Sequence, residues 1–488
     1  MRKTATLAVG LMFASAGIGK ADEPRPVPLT RPEMKRLIED MKARKPRIPL
    51  PELTEAEKAK LGERGAGYES RIRALYLPAG EGFGYGGNRP ATAGNAAGRA
   101  RGDANRGAAP AGAGPEFARN ADPNMSLDGA FKVELFWIAS RANNCQYCLG
   151  HQEGKLLRAG LKEDEIAALD GDWSEFNPAQ RKAFAFARKL TYEPHTLSDA
   201  DIDGLRKDYQ DLQILEMILS VAGNNAINRW KEGAGVPQSQ GGGGFGRRTE
   251  SGEVAAPAAP AAAHTYLTPT SEKFQSLITK VAPVVNDSKT GEPTKLTVCN
   301  RPPLESRADV AKALETARAR TPRLPLVDDA KARAIVSSTL PDGPLPQWVR
   351  LAANFPREGA NRITAVLAAD EKGDLKPLLK AQASWIIARQ DRAWYAAGVA
   401  QRRLKELGQT DDQIAALDGD WSEFSPVDRA MFTVARKLAA SPVVLTDSEV
   451  DAAVKLAGPR DVVQLISFTT TRAWFDRVTE AAGLQLEK

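Results

Sequence analysis

The run Ile166-Ala-Ala-Leu-Asp-Gly-Asp-Trp-Ser-Glu-Phe176 recurs unchanged as Ile414 to Phe424, at an offset of 248 residues. Self-similarity at a fixed offset marks a duplicated architecture, so any fold assigned to one half has to serve the other. The same offset pairs Trp137 with Trp385, Arg141 with Arg389, Gly160 with Gly408 and Ala187-Arg-Lys-Leu190 with Ala435-Arg-Lys-Leu438. It also pairs Pro194 with Pro442, Arg229 with Arg477 and Gly235 with Gly483. Upstream the offset becomes 276, where Pro46-Arg-Ile-Pro-Leu50 resembles Pro322-Arg-Leu-Pro-Leu326, so the intervening segments differ in length and composition.

The joints follow from composition. Residues from about Gln238 to Ala263 pass through Gly241-Gly-Gly-Gly244 into an Ala/Pro tract that cannot bury a core, which predicts a flexible linker over 238–266. A Gly-, Ala-, Asn- and Arg-rich stretch over about 80–114 reads as a disordered insertion. Arg2 and Lys3, the apolar run Ala5 to Ile18 and the small residues to Ala21 read as a secretory signal over 1–21. The expected plan is therefore a first unit over 22–237 and a second over 267–488, each with its own core. The protein is expected to be exported, periplasmic or secreted, with no stable membrane span, since no later segment is long and apolar enough. The formal net charge of +6 loses three basic residues and no acid with the signal. The remainder is too weak, and too interleaved with acids, for a nucleic-acid partner.

Each unit reads as helices. Phe131 to Leu157 contains no Pro and predicts one long helix stopped at Gly160. Asn177-Pro178 and Ser425-Pro426 each place a capping side chain before a Pro at the first helical position. Ser198-x-x-Asp201 and Thr446-x-x-Glu449 open a further helix in each copy, and a last amphipathic helix is predicted over Leu212–Lys231 and again over Val462–Ala482. Strand-like alternation is scarce, so the fold class is all-α. The repeated Asp170-Gly-Asp-Trp173 reads as a helix-ending turn anchored by a buried Trp.

The chemistry is concentrated in Cys145-Gln-Tyr-Cys148-Leu-Gly-His151. The chain has only three cysteines and three histidines, and this window holds two of the first and one of the second. Residues i and i+3 of a helix share a face within disulfide reach. A thiolate can cleave a peroxide to give a sulfenic acid, which a second thiol condenses to a disulfide, and His151 could supply base and charge. At the offset of 248, Ala393, Ala396, Val399 and Gln382 stand opposite Cys145, Cys148, His151 and Glu134. The scaffold thus recurs without the reactive groups, which favours a functional role for them over a packing one and makes the second copy a non-catalytic partner. Other readings stay open: a structural disulfide in an exported protein, or a zinc site of both cysteines, His151 and Glu134, although no second ligand pair exists. Leu149 follows Cys148 where c-type haem attachment needs His. His195 and His264 read as surface residues, and Cys299 as a buried thiol without a partner.

The stretch Glu134-Leu-Phe-Trp-Ile-Ala-Ser140-Arg-Ala-Asn-Asn-Cys145-Gln-Tyr-Cys148-Leu-Gly-His151 resembles the signature helix of the carboxymuconolactone decarboxylase superfamily, in its alkylhydroperoxidase D-like branch. The likeness covers about Ser126 to Gly235 and, with degraded chemistry, the second copy. It implies small all-α domains that oligomerise, here as two tandem alkylhydroperoxidase D-like domains forming a homo-oligomer or an intramolecular pseudo-dimer. It further implies Cys148 as attacking thiolate, Cys145 as resolving thiol, and His151 with Glu134 as proton relay. The family's His stands four residues after the second cysteine and its Glu twelve before the first; here the spacings are three and eleven. The resulting expectation is an exported thiol-dependent peroxidase or dithiol–disulfide oxidoreductase, acting on a peroxide or disulfide with an external thiol reductant and without cofactor or metal. A non-catalytic secreted scaffold and a lactone-acid decarboxylase or hydrolase are the alternatives.

Overall fold

The computed structural model describes residues 23–78, 122–238, 269–336, 340 and 342–487. The signal 1–21, the insertion 80–114, the linker beyond Gln238 and His264 lie outside the described residues. The described chain is all-α apart from one short antiparallel pair, Val285–Asn286 with Pro293–Thr294. Arg31–Asp40 (α1) and Tyr68–Tyr76 (α2) precede a unit made of Gly129–Ala142 (α3), Gln146–Arg158 (α4), Pro178–Tyr192 (α5), Asp199–Arg206 (α6) and Asp211–Ala234 (α7). Its repeat is Pro377–Asp391 (α8), Trp394–Glu406 (α9), Pro426–Ala439 (α10), Asp447–Ala457 (α11) and Pro459–Ala481 (α12). No helix among the described residues is long and apolar enough to cross a membrane.

The caps lie where the side-chain chemistry asks for them. Asn177 Oδ1 accepts from the Gln180 amide at 2.9 Å and Ser425 Oγ from the Asp428 amide at 3.1 Å, each with Pro in the first turn. Thr446 and Glu449 exchange bonds reciprocally at the start of α11.

The single helix expected over Phe131–Leu157 is instead two helices meeting at a corner. Asn144 takes a left-handed conformation at φ 57°, and Cys145 is extended at φ −88°, ψ 90° before α4 begins. Arg392 at φ 54° and Ala393 at φ −85°, ψ 89° repeat the corner before α9. The stretch has neither Pro nor a Gly at the break, so apolar periodicity runs straight through it. Tertiary packing imposes the turn.

The turn's Trp is buried as expected in the second copy, at Trp421, and half-buried in the first, at Trp173. The fixed point is the buried Asp170 carboxylate, which accepts from Trp137 Nε1 at 2.9 Å and Arg141 Nε at 2.8 Å. Asp418 does the same for Trp385 and Arg389, both at 2.9 Å. One carboxylate thus ties the turn to α3 or α8 in each copy.

The core does not divide between the copies. One hydrophobic cluster joins Trp137, Leu190 and Ile214 to Trp385, Tyr395 and Trp474, and α7 lies along α12 in the most extensive helix pairing of the described fold. The exchange is reciprocal. Arg229 Nη2 donates to the Ala439 carbonyl at 2.7 Å, and Arg477 Nη2 to the Thr191 carbonyl at 3.0 Å. Arg47 Nε meets Asp447 at 2.5 Å, and Arg323 Nε meets Asp199 at 2.7 Å. Each pair maps onto the other by the sequence offsets, which is the contact pattern of a two-fold dimer written into one chain. Gly235, at φ +64°, lets Arg47 cross: a Cβ there would stand 2.5 Å from Arg47 Cγ.

Candidate functional site

The corner before α4 determines how the two thiols stand. Asn143 Nδ2 donates to Asn225 Oδ1 at 2.8 Å and Asn228 Oδ1 at 2.9 Å, while Ser441 of the second copy donates to Asn143 Oδ1 at 2.8 Å. With the corner so pinned, Cys145 becomes the capping residue of α4 and Cys148 the third residue of its first turn. Their Sγ atoms are 2.7 Å apart and both cysteines are free. Phe136, Tyr147 and Ile227 close over them, leaving Cys145 0% and Cys148 2% exposed. The first-turn amides of a helix have no intrahelical acceptor, so this end of α4 favours negative charge.

Glu232, near the end of α7, is the acid beside the dithiol. Its carboxylate pairs with Arg25 at 3.3 Å and Arg44 at 3.5 Å, and Arg47 Nη1 donates to its backbone carbonyl at 2.8 Å. Burial pushes this carboxyl up, but Arg25, Arg44 and Arg47, with the Cys145 thiol beside it, outweigh burial and hold it below the usual range. Burial, the hydrogen bond to Cys148, and the charges of Cys148 and Glu232 push the Cys145 thiol well up. Cys145 is therefore kept protonated next to an ionised carboxylate. Glu232 had not been singled out in the sequence, although the offset of 248 pairs it with Glu480. In the second copy Glu480 holds Arg320 with both oxygens, at 3.0 and 2.9 Å, and accepts from the Tyr395 amide at 3.2 Å.

The two expected relay residues stand on different helices, Glu134 on α3 and His151 on α4. Glu134 sits within α3, about 12 Å of helical rise from its Ala142 end, and accepts from Gln180 Nε2 at 3.4 Å. Burial raises its carboxyl to about 7. His151 packs against Tyr147 with ring centroids 4.6 Å apart and planes tilted by 53°, and Lys231 lies 4.3 Å over the Tyr147 ring while paired with Glu69. Burial, then Lys231 and Lys155, lowers His151 to about 4, so it is neutral at neutral pH. Its Nε2 is buried with no hydrogen-bond partner among the described residues. The structure thus brings together Cys145 and Cys148, with the Glu232 charge acting on Cys145; it places Glu134 against Gln180, and His151, three residues on from Cys148 in α4, against Tyr147, which also packs on the two thiols.

Among the described residues no group of three or more His, Cys, Asp or Glu side chains is arranged to hold a metal ion. His195, expected at the surface, is half-buried with Nε2 2.8 Å from Arg392 Nη1; burial and Arg392 lower it to about 4. Cys299 is half-buried and accepts from Gln390 Nε2 at 3.3 Å. Compared with protein-family models and with curated proteins, the chain matches none.

Proposed function

We propose that the first copy is a thiol peroxidase of the alkylhydroperoxidase D-like kind and the second its structural partner. The observation that carries this reading is the free dithiol, with Sγ atoms 2.7 Å apart, at the start of α4. Cys148, in the first turn of α4, attacks the distal peroxide oxygen and gives its thiol proton to the departing alkoxide oxygen. The O–O bond breaks, the alcohol leaves with a proton, and Cys148 becomes a sulfenic acid. Cys145 then attacks the sulfenic sulfur, its own proton leaving with the sulfenic hydroxyl as water, and the disulfide forms; an external dithiol returns both cysteines to thiols by exchange. Near-complete burial of both thiols favours a small peroxide over a protein disulfide as oxidant. Glu232 acts in this reading by keeping Cys145 protonated until the sulfenic acid forms, whereas the family resemblance implies a relay of Glu134 and His151.

A scaffold with a structural dithiol is the second reading, favoured by the same burial. Peroxide consumption with a small dithiol reductant separates the two. Wild type should turn over, Cys148→Ser should be inactive, and Cys145→Ser should form a sulfenic acid that a dimedone-type probe traps. A wild type no faster than Cys148→Ser ends the peroxidase reading.

A further inference from the structure

The second copy is not simply a blank version of the first. Where the first copy carries Phe136, Cys148, His151 and Gln152, the offset of 248 puts Ser384, Ala396, Val399 and Ala400, and the lost side-chain volume opens as a cavity of about 520 Å³ among α8, α9 and α12. That lies within the usual range of small-molecule sites, roughly 300–1,000 Å³. The opposite wall has changed as well. Arg472 and Asp476 stand on α12 where α7 has Asn224 and Asn228, one helical turn apart and therefore on one face.

These two residues are buried and incompletely used. Arg472 Nη2 donates to both oxygens of Asp370 at 3.0 Å, and its guanidinium lies 5.1 Å over each of the Phe468 and Phe475 rings. Its Nε, and Oδ2 of Asp476, are buried with no hydrogen-bond partner among the described residues. Arg472 is 5% and Asp476 1% exposed, and both line the cavity. Leaving such atoms unpaired costs about 1–3 kcal/mol each, more where charge is involved. A guest that pairs with them recovers that cost.

We propose that the second copy binds a small organic acid in this cavity, its carboxylate bridging Arg472 Nε and the Asp476 carboxyl and its hydrocarbon part lying on Ala396, Val399 and Ala400. The carboxylate class follows from the wall. One guanidinium N–H and one carboxylic O–H offer two donors to two oxygens. Asp370, Glu371 and Glu406 line the cavity alongside Lys380, Arg402 and Arg403, so the lining charges offset one another and the choice of a carboxylate rests on the two unpaired atoms, Arg472 Nε and Asp476 Oδ2. Asp476 can serve as a donor because burial and then Asp391 push its carboxyl well up, against the pull of Arg477 and Arg472. The site is separate from the dithiol and does not depend on the peroxidase reading.

Calorimetric titration of the full chain with benzoate and hexanoate, alongside benzamide and inorganic phosphate, tests the proposal. At least one of the two acids should bind saturably at one site per chain, at least tenfold tighter than benzamide or phosphate. Cys148→Ser should keep that affinity, and Val399→Phe, which fills the cavity from a half-buried position, should lower it at least tenfold without changing the melting temperature. Arg472→Gln should lower it as well. The proposal is overturned if neither acid binds, if benzamide or phosphate binds as tightly, if Cys148→Ser abolishes binding, or if a natively melting Val399→Phe retains it.

Discussion

Glu232 and Glu134 are both buried carboxyl groups of the first copy, and their surroundings set them to opposite states. Glu232 has Arg25, Arg44 and Arg47 around it and is held ionised, whereas Glu134 has only Gln180 and is raised to about 7 by burial. Glu232→Gln removes a charge that keeps Cys145 protonated, so disulfide formation after a peroxide pulse should be faster at neutral pH. Stopped-flow fluorescence would record it, and an unchanged rate would remove Glu232 from the chemistry. The same variant strands buried Arg44, so urea unfolding should show a loss of about 3–5 kcal/mol. Glu134→Gln should leave peroxide turnover unchanged. Its effect is on pH dependence. Because the folded-state value lies above the unfolded one near 4.5, the unfolded chain releases this proton first as pH rises. Wild-type stability should therefore fall between about pH 4.5 and 7 and then level, by about 3 kcal/mol at most. Glu134→Gln should lack that component, and unfolding curves at pH 4.5 and 8 for both proteins would show the difference.

The corner between α3 and α4 is the element that turns two cysteines into a site, and its cost is local. Asn144 holds φ 57° and donates from Nδ2 to the Arg25 and Pro26 carbonyls at 3.1 and 3.2 Å. Asn144→Gly keeps the backbone freedom and loses those bonds, costing about 1–2 kcal/mol. Asn144→Val adds a β-branched side chain in a left-handed conformation, about 1–2 kcal/mol more. Urea unfolding should rank wild type above Gly above Val; equal stability of the two variants would mean that the corner carries no backbone strain. Features that depend on short-range chemistry were legible in the sequence: the Asn177 and Ser425 caps, the Thr446 box and the two amphipathic helices ending at Ala234 and Ala481. The corner was not, because apolar periodicity runs through it and its one local signal is Asn144, a residue type that reaches positive φ readily, while Arg392 holds the same conformation without that preference. The dithiol was legible for the same reason as the caps, being local. Glu232 was not, since it reaches Cys145 from the far end of α7; the signal available was Glu480 at the offset of 248, with Arg44 and Arg47 opposite Arg320 and Arg323 at the offset of 276.

At the scale of the whole chain, the duplication does more than repeat a fold, because each copy completes the other. Arg47 crosses to Asp447 and to the Leu445 carbonyl, Arg229 crosses to the Ala439 carbonyl, and α7 and α12 bury one face against each other. Every acceptor on the second copy has its counterpart on the first: Asp199 for Asp447, Leu197 for Leu445 and Thr191 for Ala439. Two molecules of the first copy could therefore make the same crossings to one another. A chain of residues 23–238 expressed alone would otherwise expose the buried face of α7, where Ile214, Ile218, Val221 and Trp230 are at most 2% exposed. The expected result is a helical homodimer at micromolar concentration by sedimentation velocity, with two intact dithiols per dimer by thiol titration. Arg47→Glu in that fragment would set like charge against Asp199 and should return it to monomer or to aggregate, whereas Lys207→Glu, an exposed position just after α6, should not. A monomeric fragment with native helicity and melting would show that the first copy needs no partner, and that the reciprocal crossings hold two self-sufficient units together.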